Sequence, residues 1–78
     1  MNEEEFKGII EEFTEKPAAE LSMDDDLGAV GVDSIGMFEF LLKLEGVLGE
    51  HRIEVTPEVE TLADLYDAVL DGITGNAA

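Results

Sequence analysis

Apolar residues recur at helical spacing in three stretches of the chain. Phe6, Ile9, Ile10 and Phe13 fall at i, i+3, i+4 and i+7, and Pro17 cannot continue the helix they define. The spacing therefore predicts an amphipathic helix over about Glu3–Glu15, with carboxylates on its outer face. From Pro17 to Asp33 the chain has two glycines, the run "DDD" and scattered Leu21, Leu27, Val30 and Val32, the pattern of a long loop pinned by apolar anchors. Asp33 or Ser34 can cap a second helix that runs to about Leu48, and Gly49 suits the left-handed residue beyond its end. "IEVTPE" alternates for three residues before Thr56, a cap, and Pro57, a first-turn residue, so a short helical turn near Pro57–Val59 is expected rather than a strand. Thr61 and Asp64 then form a capping-box-like pair, with Asp in place of Glu or Gln. Leu62, Leu65, Tyr66, Val69 and Ile73 mark the inner stripe of a last helix, and the tail from about 74 to 78 should fray.

The second helix has more apolar residues than one buried face needs. At about 100° per residue, Phe40, Leu41, Leu44 and Leu48 share one stripe, while Ile35, Phe38 and Leu42 lie on another that continues from Ser34. One stripe is core. The other either widens the buried face or forms an exposed apolar patch with Glu39 and Glu45 at its rim. Ser34 stands at the N-terminal end of that second stripe, where backbone N–H groups and the helix dipole favour a bound or attached phosphate by about 0.3–1 kcal/mol.

These elements make a single all-α domain over residues 1–78. The expected architecture is a small four-helix bundle, three main helices and one short one, with a long loop between helices 1 and 2. A domain this small buries only about 60% of its unfolded surface, which leaves little room for a catalytic cleft. With no cysteine, neither disulfides nor a thiolate zinc site hold the fold, and a hydrophobic content of 45% must do so. Phe6, Phe13, Phe40 and Tyr66 read as core, and the lone His51 leaves no second imidazole for a metal pair. Twenty carboxylates against four Lys and Arg give a net charge of −16, which repels nucleic acid and anionic membranes and steers basic protein surfaces toward the chain. No apolar run approaches the ~20 residues of a membrane span, and "MNEEEFKG" is acidic where a secretory signal is basic, so a soluble, cytoplasmic monomer is expected. Ser22, Asp24, Asp26 and Asp33 fit positions 1, 3, 5 and 12 of a calcium loop, but Leu27 stands where that loop needs Gly and Asp33 where it needs Glu. Asp24–Asp26 read instead as a solvated loop, and His51 with Arg52 as an exposed turn.

"LGAVGVDSIGMFEFLLKLE", with the preceding acidic loop and the later "IEVTPEVETLADLYDAVLDGI", resembles the acyl carrier protein family, whose signature is Asp-Ser-Leu ahead of an acidic, apolar-rich helix. The resemblance covers nearly the whole chain and includes length, acidity, helix spacing and the Thr-Leu-x-Asp-Leu start of the last helix. It implies that Ser34 carries 4′-phosphopantetheine through a phosphodiester, added from coenzyme A by a phosphopantetheinyl transferase. Asp33 then matches the preceding aspartate, Ile35 the following apolar residue, and Phe38, Glu39, Leu42 and Glu45 the partner-facing positions of the recognition helix. The implied partners, besides that transferase, are an acyl- or aminoacyl-loading ligase or acyltransferase and a downstream synthase or transferase with basic docking patches.

Such a carrier makes no bonds itself; the thiol of its arm supplies the thioester, so neither catalytic residues nor metal ligands are expected. Gly36 stands where fatty-acid carriers usually have an acidic residue, and "LGAVGVDS" is longer than their compact "LGADS". Both departures favour a dedicated carrier in polyketide, aminoacyl or other specialised biosynthesis. "GVDS" leans toward the acyl type over the Gly-Gly-x-Ser of peptidyl carriers without excluding an amino-acid cargo. Two competing readings stay open. A serine before a helix is ordinarily just a cap, and the chain could be an unmodified acidic adaptor that binds proteins through its second helix.

Overall fold

A computed structural model describes residues 1–49, 53, 55–56 and 58–74. Among them are three α-helices and no strand: α1 (Glu3–Ile10), α2 (Ser34–Leu48) and α3 (Leu62–Thr74), with short 3₁₀ turns at Glu11–Phe13 and Ala18–Glu20. The expected short helix at Pro57–Val59 falls partly outside the described residues. What is described there is one turn, in which Val59 N–H donates to the Thr56 carbonyl at 3.1 Å and Thr56 Oγ1 accepts from Glu58 N–H at 3.3 Å. The exposed turn at His51–Arg52 and the fraying of 75–78 also lie outside the described residues.

α1 starts where Asn2 accepts the Glu5 N–H at 2.8 Å, with Glu3, Glu4 and Glu5 set against the positive end of the helix dipole. It ends as an α-helix at Ile10, five residues before the expected Glu15, and tightens into the 3₁₀ turn Glu11–Phe13. Local bonds and one across the loop turn the chain off the axis. Thr14 is extended, its hydroxyl bonded to the carbonyls of Glu11 at 3.2 Å and Lys16 at 2.6 Å, while Glu15 N–H donates to the Val30 carbonyl at 2.7 Å. The Glu11 carboxylate accepts the Ala18 N–H at 2.7 Å and seats the next 3₁₀ turn.

The loop from Pro17 to Asp33 is fastened rather than slack. Leu21, Leu27, Val30 and Val32 are all buried, as their spacing predicts. Its backbone also pairs with the start of α3. Leu27 N–H donates to Glu60 O at 2.9 Å, Leu62 N–H to Asp25 O at 3.0 Å and Ala63 N–H to Met23 O at 2.9 Å, around an antiparallel bridge between Asp26 and Thr61. At the loop's far end Gly31 has φ +95°, and a Cβ there would lie 2.7 Å from Glu15 Cγ. By contrast, a Cβ on Gly8 in α1 would meet nothing within 4 Å. Gly31→Ala should therefore lower stability by at least ~1 kcal/mol, and Gly8→Ala should raise it by about 0.5–1 kcal/mol, opposite shifts readable in urea unfolding midpoints.

The box at the head of α3 forms as expected. Asp64 N–H donates to Thr61 Oγ1 at 3.2 Å, and Asp64 Oδ2 accepts the N–H groups of Thr61 at 3.2 Å and Glu60 at 3.1 Å. The Glu60 N–H first, then that of Thr61, hold the Asp64 carboxyl below the ordinary carboxylate range. A lowered folded-state pKa means that this cap contributes above the unfolded value of about 3.9 and is lost as pH falls through the folded one. The urea midpoints of wild type and Asp64→Ala should thus differ at pH 7 and draw together as pH falls below the ordinary carboxylate range.

The core joins all three helices and the loop. Phe6 and Ile10 of α1, Phe40 and Leu44 of α2, and Leu62, Leu65 and Val69 of α3 are fully buried. Phe6 meets Phe40 edge-on at 5.8 Å and Tyr66 at a tilt of 57° and 5.3 Å, and Phe13 meets Phe40 edge-on at 6.1 Å. Ile9, Phe13, Leu41, Tyr66 and Ile73 pack half-buried against this cluster, and the Tyr66 hydroxyl donates to the Met1 carbonyl at 3.2 Å.

Candidate functional site

The loop delivers α2 in a fixed register. Gly31 makes the final bend, Val32 turns into the core with its N–H on the Leu27 carbonyl at 2.9 Å, and Asp33 is then extended at the N-cap. Asp33 Oδ1 accepts the Gly36 N–H at 2.7 Å, and the Asp33 carbonyl accepts the Met37 N–H at 2.9 Å. Asp33 is therefore the cap and Ser34 the first helical residue. A Cβ at Gly36 would sit 3.3 Å from Asp33 Oδ1, so glycine leaves the capping carboxylate room, which offsets part of its helix-propensity cost of up to ~1 kcal/mol.

With the cap supplied by its neighbour, Ser34 has no structural task for its hydroxyl, which is exposed and makes no hydrogen bond to the described residues. Four other Ser and Thr hydroxyls are engaged locally. Thr14 bonds two carbonyls, Ser22 accepts the Asp24 N–H at 3.3 Å, Thr56 accepts from Glu58, and Thr61 closes the α3 cap. The backbone N–H groups of Ser34 and Ile35, in the first turn, have no carbonyl a turn before them in the helix.

The two stripes of α2 part company at the surface. Phe40 and Leu44 are fully buried and Leu41 half-buried, whereas Ile35 is 69%, Phe38 62% and Leu42 51% exposed; the Leu48 side chain lies outside the described ones. Asp33, Glu39 and Glu45 are exposed, and neither Glu39 nor Glu45 is ion-paired to a described residue. At about 100° per residue, Ser34, Ile35, Phe38, Glu39, Leu42 and Glu45 thus fall within about 140° of the circumference of α2, with Asp33 at its N-cap. Two surface features had no local signal in the sequence. Val47 is exposed near the end of α2, and Lys43 forms an ion pair with Glu12 across 31 positions of chain. Among the described residues no group of His, Asp and Glu could hold a metal, and Asp25 caps the Ser22 N–H at 2.9 Å in the acidic loop. No described helix is long and apolar enough to cross a membrane.

A family model described as "phosphopantetheine attachment site" matches residues 4–69. The chain belongs to this family. It is a carrier of 4′-phosphopantetheine, a covalently attached group that requires a phosphopantetheinyl transferase to install it and partner enzymes to use it. The carrier's own residues suit that group, since α2 begins with a free hydroxyl beside N–H groups that can meet phosphate oxygens. No curated protein and no solved structure matches the chain.

Proposed function

We propose that this carrier holds biosynthetic intermediates as thioesters on an arm attached to Ser34 and presents them to enzymes that dock on the exposed stripe of α2. The observation that carries the reading is the Ser34 hydroxyl, exposed and with no hydrogen bond to the described residues, whereas those of Thr14, Ser22, Thr56 and Thr61 are each engaged. On modification its oxygen forms a bond to the pantetheine-bearing phosphorus of coenzyme A, the pyrophosphate linkage breaks, and the nucleoside 3′,5′-bisphosphate leaves while the hydroxyl proton passes to the transferase. The attached arm supplies a thiol for the cargo.

The chain itself supplies position and recognition, and no bond-making step. Ile35, Phe38 and Leu42 give a partner an apolar anchor. Asp33, Glu39 and Glu45 give its Arg and Lys a rim, and the net charge of −16 steers encounter and disfavours pairing of two copies. Tethering raises the cargo's effective concentration at each docked enzyme, and a small interface allows exchange between successive enzymes. Gly36 and the lengthened loop Leu27–Ser34 favour specialised, polyketide-type or aminoacyl biosynthesis over a fatty-acid carrier.

Intact-mass measurement after incubation with coenzyme A and a phosphopantetheinyl transferase tests the assignment. One phosphopantetheinyl group, mapped to Ser34, is the expected result; no gain in mass, or a gain at another residue, overturns it. The unmodified-adaptor reading predicts no gain. Mass analysis of the arm isolated from the native host then separates acyl from aminoacyl cargo.

A further inference from the structure

We propose that Glu12 is a positioning residue for docking: by holding Lys43 it keeps the Glu39 carboxylate open to cationic groups of the modifying transferase. The inference rests on the carrier reading above. Lys43 is the one cation of α2, and it lies four residues after Glu39, the order in which Glu and Lys attract each other along a helix. Left to that local preference, the ammonium would cover Glu39 and leave the docking face with Glu45 as its one unpaired carboxylate within the helix. The structure shows a different partition. Lys43 Nζ pairs with Glu12 on the 3₁₀ turn after α1, and Glu39 has no ion pair among the described residues.

The core sets this partition. The chain leaves the α-helical path at Ile10, and the next turn packs on α2 through Phe13, whose ring meets Phe40 edge-on at 6.1 Å. Glu12 is one residue from that contact and pairs with Lys43, which at about 100° per residue lies about 100° around α2 from Leu42 and about 140° from Phe38. With Lys43 held there, the arc of α2 with Ser34, Phe38 and Leu42 has Glu39 and Glu45 as its charged groups. Exposed rim charges act chiefly on association rate and its salt dependence, so the effect of Glu12 should be kinetic.

The test measures kcat/KM for modification of the full chain by a phosphopantetheinyl transferase with coenzyme A, at low and high ionic strength, for four proteins. Glu12→Gln should lower kcat/KM by about 1.4- to 2.3-fold at low ionic strength, the size of an i,i+4 pair, and the difference should vanish at high ionic strength. Lys43→Gln alone should match or exceed wild type. Glu12→Gln with Lys43→Gln, which keeps the wild-type net charge, should restore the wild-type rate. If the bridge mattered only by joining α1 to α2, Lys43→Gln would slow modification as Glu12→Gln does; that result overturns the proposal. So does an unchanged rate for Glu12→Gln, or a loss that Lys43→Gln does not rescue. Failure of the carrier reading shows separately, as a wild-type chain that is not modified.

Discussion

Ser34→Ala should abolish attachment of the pantetheinyl group and leave the unfolding midpoint close to that of wild type. Two structural facts make the loss of function and the retention of fold separable. The helix cap is Asp33, whose carboxylate holds the Gly36 N–H, so truncating Ser34 removes no bond from the first turn of α2. The side chain is also exposed, and alanine is a good first-turn residue, so the stability change should fall within about 0.5 kcal/mol. Asp33→Ala should show the reverse balance. It leaves the hydroxyl in place but removes the cap, at about 0.5–2 kcal/mol, and should fray the turn that presents Ser34. Its modification should therefore be slowed rather than abolished. Intact mass and urea unfolding on the two variants check both halves. Retention of the modification in Ser34→Ala would remove Ser34 as the site.

Which residue caps α2 was not legible in the sequence, because Asp33 and Ser34 are equally good caps one position apart. The register is set further back, where Gly31 at positive φ and the buried Val32 fix the chain's approach to the helix. The end of α1 was misplaced for a similar reason. The apolar spacing runs on to Phe13, but Glu15 is bonded to Val30, and no local pattern announces a bond across the loop. The apolar anchors of that loop, the Thr61–Asp64 box and the inner stripes of α1 and α3 were legible, since each rests on spacing or on capping chemistry within a few residues. The pairing of Asp26 with Thr61 was not. Of the candidate site, the serine was legible from its motif, whereas the exposed face beside it was not, because periodicity separates two stripes on an apolar helix without saying which one is covered.

That face can be tested by exchanging the same residue type on the two sides of α2. Phe38 and Phe40 are both phenylalanines in one helix, two residues apart, with the first 62% exposed and the second fully buried against Phe6 and Phe13. Phe40→Ala should cost the ~3–5 kcal/mol of a truncated core aromatic. That is a large share of the total for a domain this size, whose stability should be roughly 0.05–0.15 kcal/mol per residue, and the urea midpoint should fall sharply. Phe38→Ala should change stability by no more than about 0.5 kcal/mol, yet speed dissociation from the transferase or a loading enzyme by about tenfold, the loss of an apolar anchor. Glu39→Lys with Glu45→Lys should act on the other kinetic constant, slowing association and flattening its salt dependence, since rim charges steer encounter and a buried anchor sets residence time. Stopped-flow binding and urea unfolding on the three variants separate these effects. If Phe38→Ala costs as much stability as Phe40→Ala and leaves partner dissociation unchanged, the stripe is core in solution, and docking through Ile35, Phe38 and Leu42 is wrong.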